Sequence, residues 1–268
     1  MNSDKTIDEK TSNPVRYKIH PSSSGFVTDN GLEISYNSAC PRYIVASQGV
    51  EKKPIDPIYQ QLGALHEDQY AEELGSAILH KELVIKEMLT PITQYSGRVD
   101  FVTKDGIIHE LKASLSKNFL YSVIRKKIVK LSHLAQTVSY MIRLQQERAV
   151  IVAGFYRENF TKAAEHRFVI EIEDSGDILA DQDPTGYSVK NQLDHLNLVV
   201  SALESRAVTE RPSNSGGWDS PCRYCPMRSV CDMYDAGMYD KEQLFALGAI
   251  EVANDVPKPF KFSGKKSV

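Results

Sequence analysis

The hydrophobic pattern divides the chain into blocks of two periods. From Tyr59 to about Met88, Leu62, Leu65, Leu74, Ile78, Leu79, Leu83 and Ile85 recur near helical spacing. They predict a helical region, interrupted by Gly63 and Gly75 and closed before Pro91. Two short apolar runs follow over about 94–113, joined at Lys104-Asp105-Gly106, and predict a β-hairpin. Residues 119–147 contain no Gly or Pro. Leu131, Leu134, Val138, Met141 and Leu144 give them an apolar stripe, so a second long helix is expected. Ala149–Tyr156 and His166–Glu173 read as strands, 174–186 as a polar acidic turn, Val189–Leu203 as an amphipathic helix, and 240–254 as a last helix. Helices interleaved with strands predict an α/β core.

The less patterned stretches set the expected organisation. Residues 1–30 read as a flexible segment with a breaker at Pro21-Ser22-Ser23-Ser24-Gly25, and 31–92 as a helical N-terminal region. Within the latter, a helix is expected to start at Pro41 and 49–57 to be a polar linker. Residues 93–208 are the expected core, 209–256 a cysteine-bearing C-terminal region, and 257–268 a basic flexible tail with Lys258, Lys261, Lys265 and Lys266.

Composition narrows the classes. A chain of 268 residues can bury a sizeable core. A net charge of -3 excludes a protein that wraps nucleic acid with its whole surface, so any such contact needs a local basic patch. No apolar run is long enough for a membrane span, and the polar N-terminus lacks the apolar heart of a secretory signal. A cytoplasmic or otherwise intracellular protein is expected.

The hairpin carries the candidate chemistry. Its first strand contains Gly97-Arg98-Val99-Asp100 and its second Glu110-Leu111-Lys112. Residues two apart on a strand face the same way, so one surface can present two carboxylates and an ammonium group. Hard oxygen ligands suit Mg²⁺ or Mn²⁺, with Asp100, Glu110 and the Leu111 carbonyl as the donor set. Lys112 can orient a water or offset developing charge. A solvated hairpin edge has the same residue pattern, and the segment alone does not separate the two readings.

Lys112 also opens an acid-free stretch through Lys130, containing Lys117, Arg125, Lys126 and Lys127. Together with Tyr121 these residues are candidates for guiding a phosphate backbone. Gln136 and Tyr140 stand one helical turn apart and can bond phosphate or the lysine. His66 in the first helix can donate to phosphate or ligate Mn²⁺.

Cys222, Cys225 and Cys231 cluster near the C-terminus, and Cys40 stands alone. The two-residue gap between Cys222 and Cys225 lets both thiolates reach one metal. Cys40 would close a set of four across a very long loop. A zinc site and an iron-sulfur cluster both fit this spacing.

In this order, Cys40 before Pro41-Arg42, His66, Asp100, Glu110-Leu111-Lys112, Gln136-x-x-x-Tyr140 and the C-terminal cysteine triplet resemble the RecB-like branch of the PD-(D/E)XK nucleases. More closely, they are similar to the iron-sulfur CRISPR-associated exonucleases and their viral or archaeal relatives. The resemblance implies a restriction-endonuclease-like core, a mixed central sheet flanked by helices, plus a cysteine-ligated cluster region. It implies His66 as a metal ligand and Cys40, Cys222, Cys225 and Cys231 as ligands of a structural [4Fe-4S] cluster. It implies a Mg²⁺- or Mn²⁺-dependent exonuclease on single-stranded DNA, working 5′ to 3′ with some endonuclease activity, found as a monomer or as a homo-oligomer, a dimer or larger ring of identical chains. A CRISPR integrase or a recombination protein is the implied partner. The alternative is a nucleic-acid-binding or accessory subunit of a recombination or CRISPR adaptation complex with little activity alone.

Overall fold

In this computed structural model, residues 15, 17–21, 27–28, 31–35, 40–46, 56–206, 208–209, 225 and 227–254 are described. Cys222, most of the 49–57 linker, the loop at 211–220 and the tail at 257–268 lie outside the described residues.

A mixed sheet forms the centre. Its strands are β1 (Tyr17–His20), β2 (Val27–Thr28), β3 (Gly31–Ser35), β4 (Ile78–Met88), β5 (Thr93–Thr103), β6 (Ile108–Ser114), β7 (Arg148–Tyr156), β8 (Lys162–Ile172), β9 (Asp177–Ala180) and β10 (Asp183–Ser188). The order is β10-β9-β8-β7-β6-β5-β1-β3-β2, with β4 on the other edge of β5. β6 and β7 run parallel, as β1 does to both β3 and β5; the remaining pairs are antiparallel.

Helices cover both faces. α2 (Pro57–Leu74) packs Tyr70 against Phe101, Leu111 and Val152 on one side. On the other side, α4 (Leu131–Leu144) packs Leu134, Val138 and Met141 against Val102, Ile108 and Ile151. α5 (Val189–Ser205) joins α1 (Pro41–Ala46), β1 and β5 in a second core through Leu196, Val199, Ile44, Ile19 and Tyr95. α6 (Arg228–Asp235) and α7 (Lys241–Asn254) pack on α1 through Val45, Ala46, Val230, Leu244 and Phe245. Arg42 fixes the same junction, donating to Asp235 at 2.7 Å and to the Thr209 carbonyl at 2.6 Å.

Four expectations about the elements are corrected. The helical region from Tyr59 ends at Leu74, where Gly75 turns the chain at φ 50°, and 78–88 is a strand paired with β5 along its length. Its apolar residues fit either period, and the ladder decides. The long helix over 119–147 breaks into a short turn of helix α3 (Lys117–Phe119), a π-helical turn at Leu120–Arg125 and α4, with Lys127 at φ 54° in the break. The acidic turn at 174–186 holds the short strands β9 and β10. Within the expected flexible segment, β1 is a sheet strand, and its Ile19 is fully buried.

Candidate active site at a split between strands

The sheet opens between β5 and β6. The two strands pair only at Phe101–His109 and Val102–Ile108, next to their turn. At the far end of β5, β1 takes over the same edge, pairing with Thr93, Gln94 and Tyr95, because β4 occupies the opposite edge. The backbone between those two pairings, residues 96–100, is left beside a gap. The turn itself is as the sequence predicts: Gly106 adopts φ 84°, and the Asp105 carboxylate accepts from the Thr103 hydroxyl at 2.5 Å.

Splitting a ladder orphans backbone donors, and a buried N–H without a partner is costly. Here a side chain replaces the missing strand: the Leu111 N–H donates to Asp100 Oδ2 at 2.7 Å. That bond fixes Asp100 against the second strand. Opposite it on β4, Glu82 takes φ 53°, interrupts the ladder between Lys81 and Leu83, and accepts from Arg98 at 3.2 Å.

Glu110 is the unusual group. It is 1% exposed. One oxygen accepts from Lys112 Nζ at 2.5 Å, and the other, Oε2, is buried without a hydrogen-bond partner among the described residues. Burial pushes its pKa up to about 8, the Asp100 carboxylate pushes in the same direction, and Lys112 opposes both. Asp100 is also raised by burial, against the pull of Lys112 and the Leu111 N–H. A buried carboxylate with an idle oxygen beside a second carboxylate offers hard oxygen donors of the kind a divalent cation takes.

The expected polar partners converge on it. Lys112 donates to Gln136 Oε1 at 3.0 Å, and Gln136 Nε2 donates to the Tyr140 hydroxyl at 3.2 Å. Gln136 and Tyr140 are buried on the face of α4 that meets the sheet. Tyr140 in turn limits Gly97: a Cβ there would stand 2.8 Å from Tyr140 Cε1 and 3.0 Å from the Tyr95 hydroxyl. Both rings are buried and cannot yield. Gly97→Ala is therefore expected to cost about 2 kcal/mol of stability. Thermal melts of the variant against wild type check it.

Two adjacent residues of α2, His66 and Glu67, have different surroundings. His66 is buried with its Nδ1 at 2.8 Å from the Tyr156 hydroxyl and its Nε2 at 3.4 Å from the Val152 carbonyl, over β7. Burial lowers its pKa, and its charged neighbours are Glu165, Lys162 and Arg167 rather than the carboxylate pair. Glu67, the next residue, is coupled electrostatically to the carboxylate pair. Its carboxyl is raised by burial and then by Asp100, and it raises Glu110 in turn. Sequence reasoning passed over Glu67 because helical spacing does not reveal which of two adjacent residues couples to the carboxylate pair.

Lys117, Tyr121, Arg125, Lys126, Lys127 and Lys130 are exposed around the π-helical turn, with Arg125 stacked 4.6 Å over the Tyr121 ring. Among the described residues, no three His, Cys, Asp or Glu side chains are grouped to hold a metal ion. That applies to the cysteine region too. Cys231 lies in the core that α1 shares with α6, and Cys40 is buried just before α1. The fold thus joins the two cysteine-bearing segments, but Cys40, Cys225 and Cys231 do not form a ligand group. No described helix is long and apolar enough to cross a membrane.

No family model matches the chain, and no curated protein matches it. Among solved structures, it is similar to an alkaline exonuclease (LHK-Exo) from Laribacter hongkongensis, with 12% identity over 62% of this chain and 78% of that one and a TM-score of 0.44. It is also similar to a phage-related exonuclease from Haemophilus somnus, with 13% identity over 62% and 78% of the two chains and a TM-score of 0.41.

Proposed function

We propose that this chain is a Mg²⁺- or Mn²⁺-dependent deoxyribonuclease with a restriction-endonuclease-like core, acting as an exonuclease on single-stranded DNA. One observation carries the reading: the buried, half-partnered Glu110 carboxylate beside Asp100 at the mouth of the strand split. The donors present suit a hard divalent cation. Asp100, Glu110 and the Leu111 carbonyl would hold it. When bound, such an ion lowers the pKa of a water and neutralises charge on the phosphate.

The chain's own residues supply the rest. Lys112 passes from Glu110 toward the substrate and donates to the attacking water or the developing negative charge. Gln136 Oε1 holds the ammonium group in that position, and Tyr140 holds Gln136. The exposed cations Lys117, Arg125, Lys126, Lys127 and Lys130 draw in the phosphate backbone. The test is a gel assay with end-labelled single-stranded DNA, duplex DNA and RNA, in Mn²⁺, Mg²⁺ or EDTA. Metal-dependent cleavage of DNA that disappears in Glu110→Gln is the expected result. Binding without cleavage in either metal points to the accessory-subunit reading.

A [4Fe-4S] cluster on Cys40, Cys222, Cys225 and Cys231 belongs to the same proposal. It is supported by the cysteine spacing and by the packing of α1 on α6, which joins the two cysteine-bearing segments. Protein purified without oxygen should contain the iron and sulfide of one such cluster, lost in Cys40→Ser. Zinc in place of iron replaces the cluster with a four-thiolate zinc site.

A further inference from the structure

One buried polar group near the site has no role in that mechanism. His133 lies on the first turn of α4, on the same face as Gln136 and Tyr140 at helical spacing. It is 9% exposed. Its ring rests 6.2 Å from that of Phe119, and the charged groups facing it are Lys112 from β6 and Lys130 from the segment before α4. Its imidazole has no hydrogen bond among the described residues, unlike His66 and His109, which bond to tyrosine hydroxyls.

The ring is buried but its nitrogens are not sealed from solvent without a partner, so an N–H remains open to a ligand. Two cations beside it make the surroundings attractive to an anion. Burial keeps the imidazole neutral, and Lys112 and Lys130 reinforce that. A neutral imidazole still has one N–H to donate. No acidic residue occurs between Glu110 and Glu147, so nothing within that stretch competes for the anion's place.

We propose that His133 and Lys130 form a subsite for the phosphate next to the scissile one, with the imidazole N–H donating to a non-bridging oxygen. The subsite rests on the nuclease reading for its substrate. It extends that reading by giving the bound strand a direction: from the carboxylate pair, past Lys112, along the N-terminal end of α4 toward Lys130 and the π-helical turn. His133 thus fixes the register in which the chain presents its scissile bond, while the exposed cations further out supply unspecific attraction.

The test measures binding in EDTA, where no cleavage occurs. A fluorescein-labelled oligodeoxythymidylate carries a single methylphosphonate, an uncharged phosphate replacement, moved one position at a time. Fluorescence anisotropy compares wild type with His133→Ala and with His133→Gln, which keeps an N–H donor. One methylphosphonate position is expected to weaken wild type about tenfold, or ~1.4 kcal/mol, and to weaken the alanine variant, which keeps only Lys130 there, severalfold less. The glutamine variant should recover part of the sensitivity at that position. A purely structural role would weaken every oligonucleotide equally, and equal sensitivity of wild type and His133→Ala at every position overturns the subsite. His133→Gln keeps that comparison available if His133→Ala does not fold. The nuclease reading fails separately, if Glu110→Gln still cleaves, because the methylphosphonate comparison is made without cleavage. Absence of binding to any oligonucleotide ends both.

Discussion

Replacing Glu110 with Gln should abolish metal-dependent cleavage, by at least about 10³-fold, and at neutral pH should raise the melting temperature of the metal-free protein. The two effects have one cause. Glu110 is buried with an idle oxygen, and its pKa is pushed up to about 8. In the unfolded chain it titrates near its ordinary value of 4.5. Folding therefore favours the protonated form, and the associated stability is complete below the unfolded pKa and drains away as pH rises through the folded one. A neutral glutamine has no such loss. The gain from E110Q should be absent at pH 4, partial at pH 7 and full above the folded pKa. Its size is on the order of 1–2 kcal/mol once the lost bond to Lys112 is allowed for, or about 2–4 °C in a chain of this size. Thermal melts in EDTA across pH give the profile directly. Mn²⁺ should then stabilise wild type and leave E110Q unchanged, since a ligand raises stability only where it binds. Melting temperatures of E110Q at or below wild type across the whole range, or cleavage at the wild-type rate, would show that Glu110 is an ordinary structural carboxylate.

The site was readable from sequence where its chemistry follows the chain and unreadable where it depends on the sheet. Asp100, Glu110 and Lys112 are separated by one Asp-Gly turn, so local spacing alone brings them to one hairpin. Gln136 and Tyr140 share a face through helical periodicity, and the structure connects both to Lys112. The gap that gives Glu110 its idle oxygen has no local signal. It arises because β1, nearly eighty residues away in sequence from β5's paired end, occupies the edge that β6 leaves. Local patterning missed β1 because four residues carry too little periodicity to stand out from a polar segment. It assigned β4 to a helix because Ile78, Leu79, Leu83 and Ile85 satisfy both periods, and only the full ladder to β5 settles which is used. The orientation of α2 has the same origin: packing of Leu62, His66 and Tyr70 on the sheet turns His66 over β7 and leaves Glu67 coupled to the carboxylate pair.

Lys112→Met should lower cleavage about as severely as loss of a carboxylate, about 10²–10³-fold at pH 7, and should also displace its pH dependence. Lys112 acts on the site in two ways that this substitution separates. As a cation it opposes the upward shifts of both Glu110 and Asp100. Removing it lets both carboxyls retain their protons to higher pH, and a metal can bind only after displacing them. The rising limb of the pH–rate profile, set by loss of these protons to the metal, should therefore move to higher pH in the variant at any given metal concentration. Part of the activity lost at pH 7 should return in strongly alkaline buffer. The part that does not return measures the second role, donation to the attacking water or to the developing charge, for which thioether sulfur is no substitute. Stability should change little at pH 6, because Glu110 is protonated there with or without its lysine partner, and should fall at pH 9, where a buried carboxylate would have to ionise alone. A variant with an unmoved pH profile and an intact rate would place Lys112 outside the reaction and leave its bonds to Glu110 and Gln136 as structure only.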